Sequence, residues 1–107
     1  MSEIQLRHAL VGGRDVFQEW LDNLRDYRVR VAILRRLDRI AQGNFGDHLY
    51  CRDGVWEVRI DVGAGYRVYY GVRGRTVVIL LCGGDKRTQS ADISKAVSYW
   101  KQLVTEP

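Results

Sequence analysis

Proline is nearly absent from this chain of 107 residues: the single one is Pro107. With no proline inside and no low-complexity segment, nothing reads as a linker, and one domain spanning 1–107 is expected. Cysteine is scarce too. Cys51 and Cys82 lie far apart without C-x-x-C spacing, which excludes a disulfide framework or dithiol motif and leaves two reduced, partly buried thiols as the expectation. Histidine is as rare. His8 and His48 make no zinc pattern with the two cysteines, so no metal is expected. No run approaches the roughly 18 apolar residues of a membrane span. No charged-then-apolar leader opens the chain, so a cytoplasmic protein with no membrane partner is expected.

What is present is apolar periodicity and basic charge. Apolar residues make up 46% of the chain, enough for a folded core and too many for disorder. Lys and Arg outnumber Asp and Glu, 17 to 13, for a net charge of +4. That balance suits a nucleic acid or an acidic partner without requiring either.

Gly54 to Gln89 is the most informative stretch. Val55–Val62, Tyr66–Val72 and Thr76–Cys82 are runs of β-branched and aromatic residues separated by Gly63-Ala64-Gly65 and Arg73-Gly74-Arg75. Such runs bounded by glycine predict hairpin-connected antiparallel strands. Alternation puts Trp56, Val58, Ile60 and Val62 on one face and Glu57, Arg59 and Asp61 on the other. A bend centred on Ala64 would set Asp61 opposite Arg67 and Arg59 opposite Tyr69. One face then collects Glu57, Arg59, Arg67 and Tyr69, with Lys86 and Arg87 close by in a basic loop after the last strand.

The flanks fill in the architecture. Ile4–Val11 predicts a first strand broken at Gly12-Gly13. Asp15, with Gln18 three residues on, predicts a capped helix over Val16–Leu24. Asp26 can cap a second helix with the apolar line Ile33, Leu34, Leu37, Ile40 and Ala41, stopped by Gly43. The short link predicts an antiparallel helical hairpin. His48–Arg52 reads as a short strand, and Ser90 or Asp92 as the cap of a last helix carrying Ile93, Ala96, Val97, Trp100 and Leu103. The sum is α+β: an N-terminal strand and helical hairpin, then a mostly antiparallel sheet and a C-terminal helix, with helices on one side. Arg28, Arg30, Arg35, Arg36 and Arg39 share the polar side of the second helix. That side is either a solvated face or a docking surface for RNA, with Arg35 and Arg39 as contacts.

Four segments carry a family resemblance: Asn44-Phe45-Gly46-Asp47, Trp56-Glu57-Val58-Arg59-Ile60, Gly65-Tyr66-Arg67-Val68-Tyr69-Tyr70, and Gly83-Gly84-Asp85-Lys86-Arg87-Thr88-Gln89. In this order, over Val16 to Val97, the chain resembles the addiction-module killer proteins, a HigB-like branch of the RelE/ParE toxin superfamily. The resemblance implies the toxin of a type II toxin–antitoxin pair, with a small helix-turn-helix antitoxin as partner. RelE-like members cut mRNA on the translating ribosome without metal or other cofactor; ParE-like members share the fold and poison DNA gyrase. A toxin that only binds its antitoxin is a third reading. Arg59 matches a basic position on the first central strand, Arg67 the arginine of the Tyr-Arg motif, and Lys86 or Arg87 the basic residue after the last strand. Glu57 stands where some relatives carry a lysine. The tyrosine some relatives use near the last helix, and the histidines of HigB-type sites, have no match.

Metal-free RNA cleavage needs the 2′-OH deprotonated, the phosphorane charge stabilised and the 5′-oxygen protonated. Arginine suits the second task, because its planar fork fits phosphate and stays charged. Arg59 and Arg67 are the candidates, with Lys86 beside them. Glu57 or Tyr69 is the candidate for proton transfer, and His48 for proton donation. Each has a purely structural alternative: an ion pair for Glu57, a half-buried aromatic for Tyr69, an edge histidine for His48.

Overall fold

A computed structural model of the chain describes residues 3–105; Pro107 lies outside them. Strand β1 (Gln5–His8) is followed by a small hairpin of β2 (Leu10–Val11) and β3 (Arg14–Asp15), turned through Gly12 and Gly13. The single strand expected over Ile4–Val11 is thus divided between two sheets.

Helix α1 (Val16–Asp22) starts where the Asp15 carboxylate accepts the Gln18 backbone N–H at 3.0 Å. The capping box stays half-made, because the Gln18 side chain donates forward to Asp22 at 2.8 Å. Leu24, expected inside the helix, lies past its end. Helix α2 (Tyr27–Ala41) is capped by Asp26, whose carboxylate accepts from the Arg28 N–H at 2.9 Å.

Four more strands follow: β4 (His48–Arg52), β5 (Val55–Ile60), β6 (Tyr66–Arg73) and β7 (Val77–Asp85). β4 and β5 are joined by Asp53-Gly54, both at positive φ, the mirror-type turn that suits the twist of a two-residue hairpin. The sheet runs β1-β7-β6-β5-β4, antiparallel throughout except for the parallel pair β1–β7. A 3-10 turn at Lys86–Thr88 leads into helix α3 (Gln89–Thr105). The architecture is α+β with a mostly antiparallel sheet. Among the described residues no helix is long and apolar enough to cross a membrane.

The helices do not share one side. Phe17, Leu21, Val29, Ile33, Leu37 and Ile40 from α1 and α2 pack on the sheet face carrying Val58, Ile60, Val68, Val78 and Leu80. Ala96 and Val97 of α3 pack on the opposite face, against Val55, Tyr69, Ile79 and Leu81. The apolar content of β7 explains this. Its residues from Val78 to Gly84 are all buried, so both faces of the strand require a cover.

The chain also leaves β7 differently from the expected basic loop. Gly83 and Gly84 are strand residues paired with Val68 and Arg67, not a turn. Their lack of a side chain serves close approach. A Cβ on Gly83 would collide with the Trp20 ring, and one on Gly84 with the Asp92 carboxylate. Asp92 is therefore not the cap of α3; it is buried in the helix's first turn, accepting the Thr88 hydroxyl at 2.5 Å. The capping carboxylate is that of Asp85, which accepts the Arg87 N–H at 2.9 Å and starts the 3-10 turn that precedes α3. Gly84→Ala is expected to destabilise the fold by about 1–3 kcal/mol through this overpacking. Thermal melting beside the exposed control Ser90→Ala checks it.

Candidate functional site

The β5–β6 bend is longer than a turn centred on Ala64 allows. Ile60 pairs with Tyr66, Arg59 with Arg67, and Glu57 with Tyr69. The register differs by two residues from the expected one. A shift of two keeps every side chain on its face but changes its partner. Asp61 therefore does not meet Arg67. Arg59 and Arg67 stand opposite each other, one step along from Glu57.

Glu57 is the centre of the cluster. It is 1% exposed, and both its oxygens are saturated. Oε2 accepts from Arg59 Nε at 2.8 Å and Arg67 Nε at 3.2 Å. Oε1 accepts from Gln89 Nε2 at 3.1 Å and from the Cys51 thiol at 3.4 Å. Burial alone would raise the Glu57 pKa. The hydrogen bonds from Arg59, Gln89 and Cys51 outweigh it, and the carboxylate is held below its ordinary value. An anion this strongly held makes a poor general base.

The other proton-transfer candidates fare no better. Tyr69 is fully buried under α3, and its hydroxyl has no hydrogen-bond partner among the described residues. Burial, then the neighbouring Glu57 and Asp92 charges, push its pKa up. It cannot stack on a base. His48 pairs with Val58 across the sheet, which puts it on the α2 face, away from Glu57. Its Nδ1 lies 2.9 Å from the Gly46 carbonyl, and its ring packs between Phe45 and Trp56. Cys51 and Cys82 are both free, and burial first of all pushes each thiol up to about 12, so neither is a ready nucleophile.

The cations are better placed. Arg67 and Lys86 line a hollow of about 290 Å³ with Arg59, Asp47, Asp61 and Tyr66. A second hollow of about 470 Å³ adjoins it at Arg59, Ile60, Asp47 and Asp61, and is lined on its far side by Arg35 and Arg39. Arg35 and Arg39 are exposed, so the basic face of α2 continues the concave surface that begins at Lys86. Arg87 stands apart: its fork is engaged by Asp85, with Nη2 to Oδ2 at 2.9 Å, and its side chain is largely exposed.

Two contributors escaped the sequence reading. Gln89 ends the Gly-Gly-Asp-Lys-x-x-Gln motif and, at the first residue of α3, ties that helix to the carboxylate. Arg36 was grouped with the solvated arginines but is 7% exposed. Its guanidinium donates to the carbonyls of Phe45 at 2.9 Å, Arg59 at 3.0 Å and Asp47 at 3.4 Å. The signal was there in the helical period: Val29, Ile33, Arg36, Leu37 and Ile40 are the buried positions, while Leu34 is half exposed.

Over residues 19–98 the chain matches the family described as Phage derived protein Gp49-like (DUF891). The chain belongs to this family, which is associated with the toxins of toxin–antitoxin systems. It is also similar to an uncharacterised protein of Haemophilus influenzae, 49% identical over 87 residues, covering 81% of this chain and 88% of that one.

Proposed function

We propose that this chain is the toxin of a type II toxin–antitoxin pair, of the HigB-like branch of the RelE/ParE superfamily, cutting mRNA on the ribosome without metal. Its partners are then a helix-turn-helix antitoxin and ribosome-bound mRNA, and its place of action is the cytoplasm. The observation that carries the reading is the pairing of Arg59 and Arg67 across β5 and β6, beside Lys86, at one end of a continuous basic hollow.

In this reading the scissile phosphate sits over the two arginines, which hold the charge that develops on its equatorial oxygens. Lys86 supplies a mobile ammonium beside the 5′-oxygen. Arg35 and Arg39 hold the RNA backbone further along the second hollow. None of the three proton-transfer candidates is free to take the 2′-proton: Glu57 is saturated, Tyr69 is buried and His48 faces away. These three side chains thus leave to Arg59, Arg67 and Lys86 the part of charge stabilisation and positioning.

The test is a map of mRNA 3′ ends in a bacterial translation extract, with and without the protein. New ends that need active ribosomes are the expected result. Intact mRNA would overturn the nuclease reading; a supercoiling assay with purified gyrase would then separate a ParE-like inhibitor from a protein that only binds its antitoxin.

A further inference from the structure

The Glu57 cluster says how an anion would be held, and this inference rests on the phosphodiester-binding role proposed above. A guanidinium offers an acid two forked edges: the side edge, made by Nε and one Nη, and the end edge, made by the two Nη groups. In Arg59 and in Arg67 the Nε–H is committed to one oxygen of Glu57, at 2.8 and 3.2 Å. Neither arginine makes a further hydrogen bond among the described residues through its Nη groups. The side edges are closed and the end edges are open.

We propose that Glu57 is a positioning residue that closes the side edge of both arginines, so that the phosphodiester is gripped end-on by their Nη groups. Three features make the carboxylate a fixed reference. It is buried, so it does not exchange partners with solvent. Its second oxygen is held by Gln89 from α3 and Cys51 from β4, so it cannot rotate. It stands on β5, an inner strand paired on both sides by β4 and β6, beside Arg59 on the same strand face. A free arginine side chain has rotamer entropy to lose on binding. Here much of that loss has occurred before the RNA arrives, which is the condition for preorganised stabilisation of a developing charge.

The experiment reads the arginines directly. Nitrogen-15 NMR of the whole protein should show two Nε–H resonances protected from solvent exchange, assigned by their loss in Arg59→Ala and Arg67→Ala. Titration with inorganic phosphate should shift the Nη signals of these residues and leave their Nε signals in place. In the near-isosteric Glu57→Gln, protection of both Nε–H groups should fall at least tenfold, and phosphate should then move Nε as well. In parallel, single-turnover cleavage on programmed ribosomes should lose roughly a hundredfold in kcat with little change in KM, the mark of misplacement rather than lost binding. The shape of the pH profile should not change. Nε signals indifferent to Glu57→Gln, or moved by phosphate in the wild type, would overturn the inference. So would a pH limb present in the wild type and absent in Glu57→Gln, which would make Glu57 the base. Wild-type protein that passes the phosphate titration but cuts no mRNA would keep the clamp and sink the nuclease reading.

Discussion

Arg67→Ala is expected to reduce mRNA cleavage by about 10²–10³-fold, the usual loss when one preorganised donor to a developing oxyanion is removed. The fold should survive. Glu57 would keep Arg59, Gln89 and Cys51 as partners, so its charge is not orphaned. The expected stability loss is about 1–2 kcal/mol, the scale of one hydrogen bond to a charged group. Growth inhibition on induction, 3′-end yield and a melting curve together check this. Arg67→Lys is expected to behave like alanine in rate. A lysine at this position has one ammonium, and the buried Glu57 carboxylate 3.2 Å from the present Nε would claim it, leaving nothing for phosphate. Arg87→Ala is the contrast. That fork is spent on Asp85 at an exposed turn, and its loss should change cleavage by less than tenfold. Full activity in both Arg67 variants would remove the arginine pair from the mechanism.

Much of this site was legible because two of its determinants are local. Alternation within a strand decides which side chains share a face: Glu57 and Arg59 were assigned to one face from period two, and Arg67 joined them through an assumed register whose two-residue error left the face unchanged. The resemblance to a toxin family agreed with the basic residues on that face. Register was harder to read. It depends on how many residues the β5–β6 bend consumes, and Gly63-Ala64-Gly65 did not reveal that Asp61 and Val62 belong to the bend too. An error of two residues preserved the face but traded a Glu57 hub for an imagined Asp61–Arg67 pair.

Burial was the least legible property. Tyr69 shares a face with Arg67, and nothing local says that α3 covers the one and leaves the other at the rim. The side on which a helix packs depends on a connection of only three residues, the 3-10 turn at Lys86–Thr88. Its geometry depends in turn on a glycine, Gly84, packed against a carboxylate, Asp92. Residue types gave the opposite impression. Glycines suggested a loop, and a tyrosine between charged strands suggested a reactive hydroxyl. The same face of α3 that buries Tyr69 supplies Gln89 to the cluster, so the covering helix both removes one candidate and fixes another.

The largest expected loss of stability falls on Arg36. Replacing it with methionine, similar in length and apolar, should cost on the order of 3 kcal/mol, because three backbone carbonyls lose a charged donor at once. For a chain of this size that corresponds to a melting temperature lower by roughly 10–20 °C. The cost is not one of broken charge pairing. Burial, then the nearby Arg39 charge, hold the Arg36 pKa below its ordinary value, and among the described residues its hydrogen bonds go to carbonyls, not to a carboxylate. What it supplies is geometry: the Arg59 N–H donates to the Asp47 carbonyl at 2.9 Å, and the Arg36 guanidinium fastens both residues from behind. The segment between α2 and β4 is thereby held against the end of β5, where the two basic hollows meet. Arg35→Ala and Arg39→Ala, one residue before and three after, should leave the melting curve within about 0.5 kcal/mol of wild type, because both side chains are exposed. Their effect should appear in RNA affinity and its salt dependence instead, each removed phosphate contact lowering the salt slope by about 0.7 on a single strand. An Arg36 variant as stable as wild type would mean that the three carbonyls find water, and that the basic rim of the hollow stands without the brace.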